Sequence, residues 1–134
     1  MASSQVTTLP EWTAACTGGD ASRKYPYGPS YEQQRCSDLP LAKQRGQIAP
    51  LPTGSVSTCR TAAGVYDLSG NVWEWLADTR GADEAAAEFR GGGFASDDAE
   101  GLACTRKTPL AQPVTQQRPE IGFRCCADLD AGRR

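Results

Sequence analysis

The sequence predicts an α+β chain made mostly of loops, with short strands and few short helices. Three observations predict it. Val72 to Leu76 (VWEWL) alternates with a period of two, as a strand does. Thr8-Leu9-Pro10-Glu11 has the spacing of a capping box and opens a short run of helical periodicity. The remainder is dominated by stretches rich in proline, glycine and polar residues, in which neither period persists.

At the N-terminal end, Thr8 can cap a first turn and Glu11 can bond back to it, so a short helix should follow. Trp12, Ala15 and Cys16 fall at i, i+3 and i+4 on one side of it, and Gly18-Gly19 provides the stop. This helix serves the core rather than chemistry. Gly19 to Tyr31 reads as an ordered irregular loop, which Tyr25, Tyr27 and Tyr31 either pack down or use to reach a ligand. Leu39 to Thr61, with Pro40, Pro50 and Pro52, reads as a long connection holding at most a short strand near Val56.

Ser69-Gly70-Asn71 supplies the flexible or left-handed backbone of a turn. The alternation after it sends Trp73 and Trp75 to one face, expected to be core, and Val72, Glu74 and Leu76 to the other. A carboxylate among apolar neighbours needs a partner, because burying it unpaired costs more than the packing of one strand returns. A bound cation is one candidate and an arginine such as Arg124 is another.

Arg80 to Glu88 reads as a charged, alanine-rich insertion, solvated or a helical turn. Gly91-Gly92-Gly93 strips side chains from three successive positions, which permits close backbone approach or an unusual turn. No Gly-Lys-Ser/Thr follows, so this is not a phosphate-gripping loop. Asp97, Asp98 and Glu100 make the next loop acidic and solvated. Pro109 to Pro119 is another polar loop, Ile121 to Cys126 alternates as a terminal strand, and residues 127–134 form a frayed tail.

The 134 residues fit a single domain, 1–134. A net charge of -2, with Lys and Arg scattered, argues against nucleic acid and anionic membrane. No apolar run approaches the roughly 18 residues of a spanning helix. The absence of histidine removes Ser-His and Cys-His nucleophilic sites and most catalytic zinc sites. Six cysteines, Cys16, Cys36, Cys59, Cys104, Cys125 and Cys126, contain no C-x-x-C spacing and read as disulfide partners. Cys125 and Cys126, adjacent on a strand, would face opposite ways and find different partners.

GVYDLSGNVWEW (Gly64 to Trp75), RGGGF (Arg90 to Phe94) and IGFR (Ile121 to Arg124) stand in that order behind LPEWTAAC (Leu9 to Cys16) and YPYG (Tyr25 to Gly28). In these five motifs the chain resembles the sulfatase-modifying-factor, or formylglycine-generating-enzyme-like, family. The resemblance implies a C-type-lectin-like fold, in which metal ions and disulfides supply what ladders and helices supply elsewhere. It also implies an N-terminal portion ahead of the first motif. Together with the lack of an export signal beside so many cysteines, this predicts a fragment of a longer secreted or lipid-anchored protein, prone to self-association through uncovered edges.

The resemblance further implies calcium, held by the Asp67 side chain, the backbone carbonyls of Gly70 and Val72, and Glu74, with Asn71 buttressing the turn. Without calcium, Asp67 would cap the turn and Glu74 would pair with Arg124. Oxygen-using members carry two copper-binding cysteines, and aligned from the glycines those positions fall here on Ser96 and Gly101, so copper is not expected. Ser37 replaces an asparagine of the family's second cation site. The resemblance pairs Cys104 with Cys125 or Cys126, and Cys36 with Cys59. The function it implies is a non-catalytic, calcium-stabilised, disulfide-linked binding or scaffold module outside the cytoplasm, with a protein or glycan ligand. The alternative is a formylglycine-generating oxidase, or a fragment of one, acting on a cysteine in a sulfatase peptide.

Overall fold

The structure is a computed structural model and describes residues 4–77, 79, 85–106 and 111–127. Strand β1 (Ser4–Val6) leads into helix α1 (Leu9–Thr17). The capping box forms in full. Thr8 takes an extended backbone, its hydroxyl accepts from the Glu11 N–H, and Glu11 Oε2 accepts from the Thr8 N–H at 2.8 Å. Gly18, in the left-handed region, ends the helix, and Trp12 and Cys16 are fully buried beneath it.

A second helix, α2 (Leu39–Arg45), occupies what the sequence reads as the start of a long connection. Its end signals are all local. Asp38 Oδ1 accepts from the Leu41 N–H at 3.0 Å, Pro40 sits in the first turn, Lys43 and Arg45 in the last, and Gly46 closes it with φ 71°. Val56 lies outside any strand.

Strands β2 (Trp73–Trp75), β3 (Ala86–Arg90), β4 (Ala111–Pro113) and β5 (Ile121–Gly122) form a sheet in the order β4-β3-β2-β5. β2 is antiparallel to β3 and parallel to β5. Strand β6 (Cys125–Ala127) pairs antiparallel with β1, setting Val6 opposite Cys125. Residues 86–88 of the expected insertion therefore extend rather than turn helically, and residues 80–84 lie outside the described residues. Beyond Ala127 the expected tail lies outside them too. Pro113 closes an edge strand, where a missing N–H costs nothing.

The terminal strand expected over Ile121 to Cys126 is broken at Phe123 and Arg124. Its first half joins the large sheet and its second half the small one. Arg124 makes the break: its carbonyl accepts from both the N–H and the hydroxyl of Thr7, while its side chain turns inward.

The faces of β2 are reversed from the expectation. Glu74 and Leu76 point into the core, and Trp73 and Trp75 are only half-buried, each meeting Phe89 edge-on, at 4.9 and 5.4 Å between ring centres. The cause is α1, which supplies Trp12 to a core with Leu68, Leu76, Cys16 and Cys104. Gly91 lets that core close. With φ 99°, a Cβ there would stand 2.9 Å from the Leu68 carbonyl oxygen and 3.1 Å from the Trp12 ring.

Cys36 and Cys59 form a disulfide, with Cα atoms 4.7 Å apart. Cys104 bonds to Cys16, not to Cys125 or Cys126, and both of these are thiols. The loop bearing Cys104 is drawn to the α1 side, its N–H donating to the Lys24 carbonyl at 2.7 Å. Cys125 instead stands on the small sheet opposite Val6, exposed.

Candidate functional site

Glu74 is the centre of a buried polar cluster. Its Oε2 accepts from Arg124 Nε and from Trp12 Nε1, both at 2.7 Å, and its Oε1 accepts from Arg124 Nη2 at 2.7 Å. Nη2 also donates to the Tyr66 carbonyl at 2.8 Å. This is a two-pronged guanidinium–carboxylate pair with an indole as third donor. Burial alone would lower the pKa of Arg124, but the hydrogen bonds and charge of Glu74, with the charge of Asp67, hold it above its ordinary value.

Asp67 sits in the left-handed region at φ 60°, buried, and its Oδ2 accepts from the Gly54 N–H at 2.8 Å. Gly70 presses on another segment: a Cβ there would lie 2.5 Å from the Ser37 carbonyl oxygen. Asn71 clasps the loop opposite, its Oδ1 accepting from the Leu51 N–H at 2.8 Å and its Nδ2 donating to the Leu51 carbonyl at 3.1 Å. Val72 is half-buried against Gly122.

Of the four residues expected to hold calcium, Glu74 is bonded to a cation supplied by the chain, while Asp67 bonds the Gly54 N–H and adds only its charge at Arg124. A divalent ion drawing on Glu74 would stand beside the Arg124 guanidinium and compete for oxygens that already serve three N–H donors. In this arrangement Arg124 is the counter-charge of Glu74, the arginine partner that the sequence offers as the alternative to an ion. Melting curves in excess chelator and in excess calcium are expected to coincide. A drop of several degrees with chelator would reinstate the ion, since a ligand bound only by the native state raises its stability.

The positions aligned with the copper cysteines are spent on loop structure. Ser96 Oγ accepts from the Gly93 N–H at 2.9 Å, and the Gly101 N–H donates to Asp98 Oδ2 at 3.1 Å. Cys104, the nearest sulfur in sequence, is oxidised and buried. Among the described residues no group of three or more Cys, Asp or Glu could hold a metal ion.

The tyrosines pack their loop down. Tyr25 is buried, donates to the Ala99 carbonyl at 2.6 Å and stacks on Tyr27 with ring centres 5.5 Å apart. Tyr31 donates to Asp38 Oδ2 at 2.9 Å. Burial pushes the Tyr27 phenol up to about 12 and raises Tyr31 as well, with the Asp38 hydrogen bond adding to it. Sequence reasoning missed two residues here. Asp38 both caps α2 and receives Tyr31, and the Asp-Leu-Pro order signals the cap. Trp12 looks like plain core, and no local signal announces its bond to Glu74.

Residues 1–129 match the family described as sulfatase-modifying factor enzyme 1-like domain. The chain is 31% identical over 135 residues to an inactive C-alpha-formylglycine-generating enzyme 2 of Bos taurus, covering 94% of this chain and 44% of that protein. It is 26% identical over 157 residues to a formylglycine-generating enzyme of Thermomonospora curvata, covering 95% of this chain and 50% of that one. Among solved structures, Treponema denticola variable protein 1 superposes with a TM-score of 0.70 at 20% identity, over 91% of this chain and 46% of that one. The chain therefore spans about half the length of the relatives it matches.

Proposed function

Because the chain belongs to the sulfatase-modifying factor enzyme 1-like family, we propose that it is a non-catalytic, disulfide-stapled binding or scaffold module working outside the cytoplasm. Its fold is the loop-rich, C-type-lectin-like one of formylglycine-generating-enzyme-like proteins. The observation that carries the proposal is chemical. Oxygen activation on copper needs two thiolates, and Ser96 and Gly101 offer none, while Cys104 is committed to Cys16. Similarity to a relative whose name declares it inactive supports the same reading.

Two disulfides support a working place in an oxidising compartment, where such bonds persist. Among the described residues no helix is long and apolar enough to cross a membrane. The direct test is oxygen uptake with copper(I) and a cysteine-containing sulfatase peptide. No uptake above the protein-free rate is expected. Formation of an aldehyde at the peptide cysteine would sink the non-catalytic reading.

A further inference from the structure

The Cys36–Cys59 disulfide has an arginine beside each sulfur, Arg35 before the first and Arg60 after the second. With Cα atoms 4.7 Å apart, the bond fixes both arginines at one place, and the Thr58 hydroxyl reinforces it by donating to the Arg35 carbonyl at 2.6 Å. Arg23 joins them around an open hollow of about 290 Å³. A neighbouring hollow of about 210 Å³ shares Arg23, Thr61 and Ala62 with it.

Three guanidiniums around one hollow stand out in a chain of net charge -2. Their counter-charges are weak. Glu32 reaches Arg35 at 3.4 Å from a side chain 57% exposed, and the Asp20 carboxylate near Arg23 already accepts two hydrogen bonds from Ser22. Among the described residues, no carboxylate lies within salt-bridge distance of Arg60. Arg35 Nε is buried and has no acceptor. Buried N–H groups are rarely left so, and an oxyanion would satisfy it.

We propose that this hollow binds an anionic sugar residue, carrying a sulfate ester or a carboxylate, with Arg60 and Arg35 as its principal anion contacts. The proposal rests on the reading of the chain as a binding module and names its ligand class. The walls favour a sugar over an acidic peptide. Pro26, Ala62 and the Tyr27 ring, which lies 5.5 Å from the Arg35 guanidinium carbon, are the apolar contributions, a flat surface of the kind a sugar face stacks on, while Ser57 and the arginines offer partners to sugar hydroxyls.

The test is calorimetric titration of the whole chain with N-acetylglucosamine 6-sulfate and a heparin-derived tetrasaccharide. Neutral N-acetylglucosamine, inorganic sulfate and a hexaglutamate peptide serve as comparators. Saturable binding of the sulfated sugars, absent with the neutral one, is expected. Arg60→Gln, at an exposed position, should weaken it about tenfold or more, with the melting curve unmoved. Arg118→Gln, outside the hollow, should change neither. No binding, or binding that survives Arg60→Gln, overturns the proposal. Equal affinity for hexaglutamate makes this an acidic-peptide site and overturns the sugar assignment, and equal affinity for inorganic sulfate reduces it to an adventitious ion only. None of these results touches the oxygen-uptake test, so the two proposals fail separately.

Discussion

Arg124→Met is expected to cost about 3–5 kcal/mol of stability, measured as a fall in the denaturation midpoint with an unchanged slope. The Glu74 side chain is 6% exposed and Arg124 supplies two of its three N–H donors. Removing the guanidinium leaves a buried carboxylate held by the Trp12 indole alone. The double variant Glu74→Leu/Arg124→Met is expected to recover most of the loss, because two apolar side chains of similar bulk remove the charge and its partner together. A single variant as stable as the parent would mean that something other than Arg124 neutralises Glu74. Since Arg124 is held above its ordinary pKa, its contribution is complete at neutral pH and fades only when strongly alkaline solution strips its proton.

Loss of the Cys16–Cys104 disulfide, by a Cys16→Ala/Cys104→Ala pair, is expected to cost about 4–5 kcal/mol. The bond joins residues 88 apart and lies at the centre of the core, both sulfurs buried. The Cys36–Cys59 pair, with a separation of 23, should cost about 3 kcal/mol by the same chain-entropy argument. Melting temperatures of the two variants would show this order. Denatured but unreduced parent protein should titrate two thiols, and mapping should place them on Cys125 and Cys126. A Cys16–Cys125 or Cys104–Cys126 bridge would overturn the pairing.

What the sequence disclosed was local chemistry. The capping box at Thr8 and Glu11, the close-approach glycines and the demand of Glu74 for a partner all follow from residues a few positions apart. The end signals of α2, Asp38, Pro40 and Gly46, are equally local, but they stand at the head of a stretch whose later prolines, Pro50 and Pro52, break any helical period. What stayed hidden depends on distant segments meeting. Period two divides Trp73 and Trp75 from Glu74 and Leu76 without saying which pair faces the helix, and α1 decided it by delivering Trp12. Cysteine spacing permits many pairings, and the draw of the Cys104 loop toward Lys24 chose one that the family pattern did not suggest. Arg35 and Arg60 are far apart in sequence and neighbour one another through the Cys36–Cys59 bond, whose partners spacing alone does not name.

Trp12, Glu74 and Arg124 bring together the beginning, middle and end of the described chain. The interior cannot be completed until Arg124 has been synthesised, so a nascent chain emerges with Glu74 beside Trp12 but still lacking its guanidinium partner. Contacts of such long range slow folding, and they leave newly made molecules dependent on protection from one another until the segment bearing Arg124 arrives.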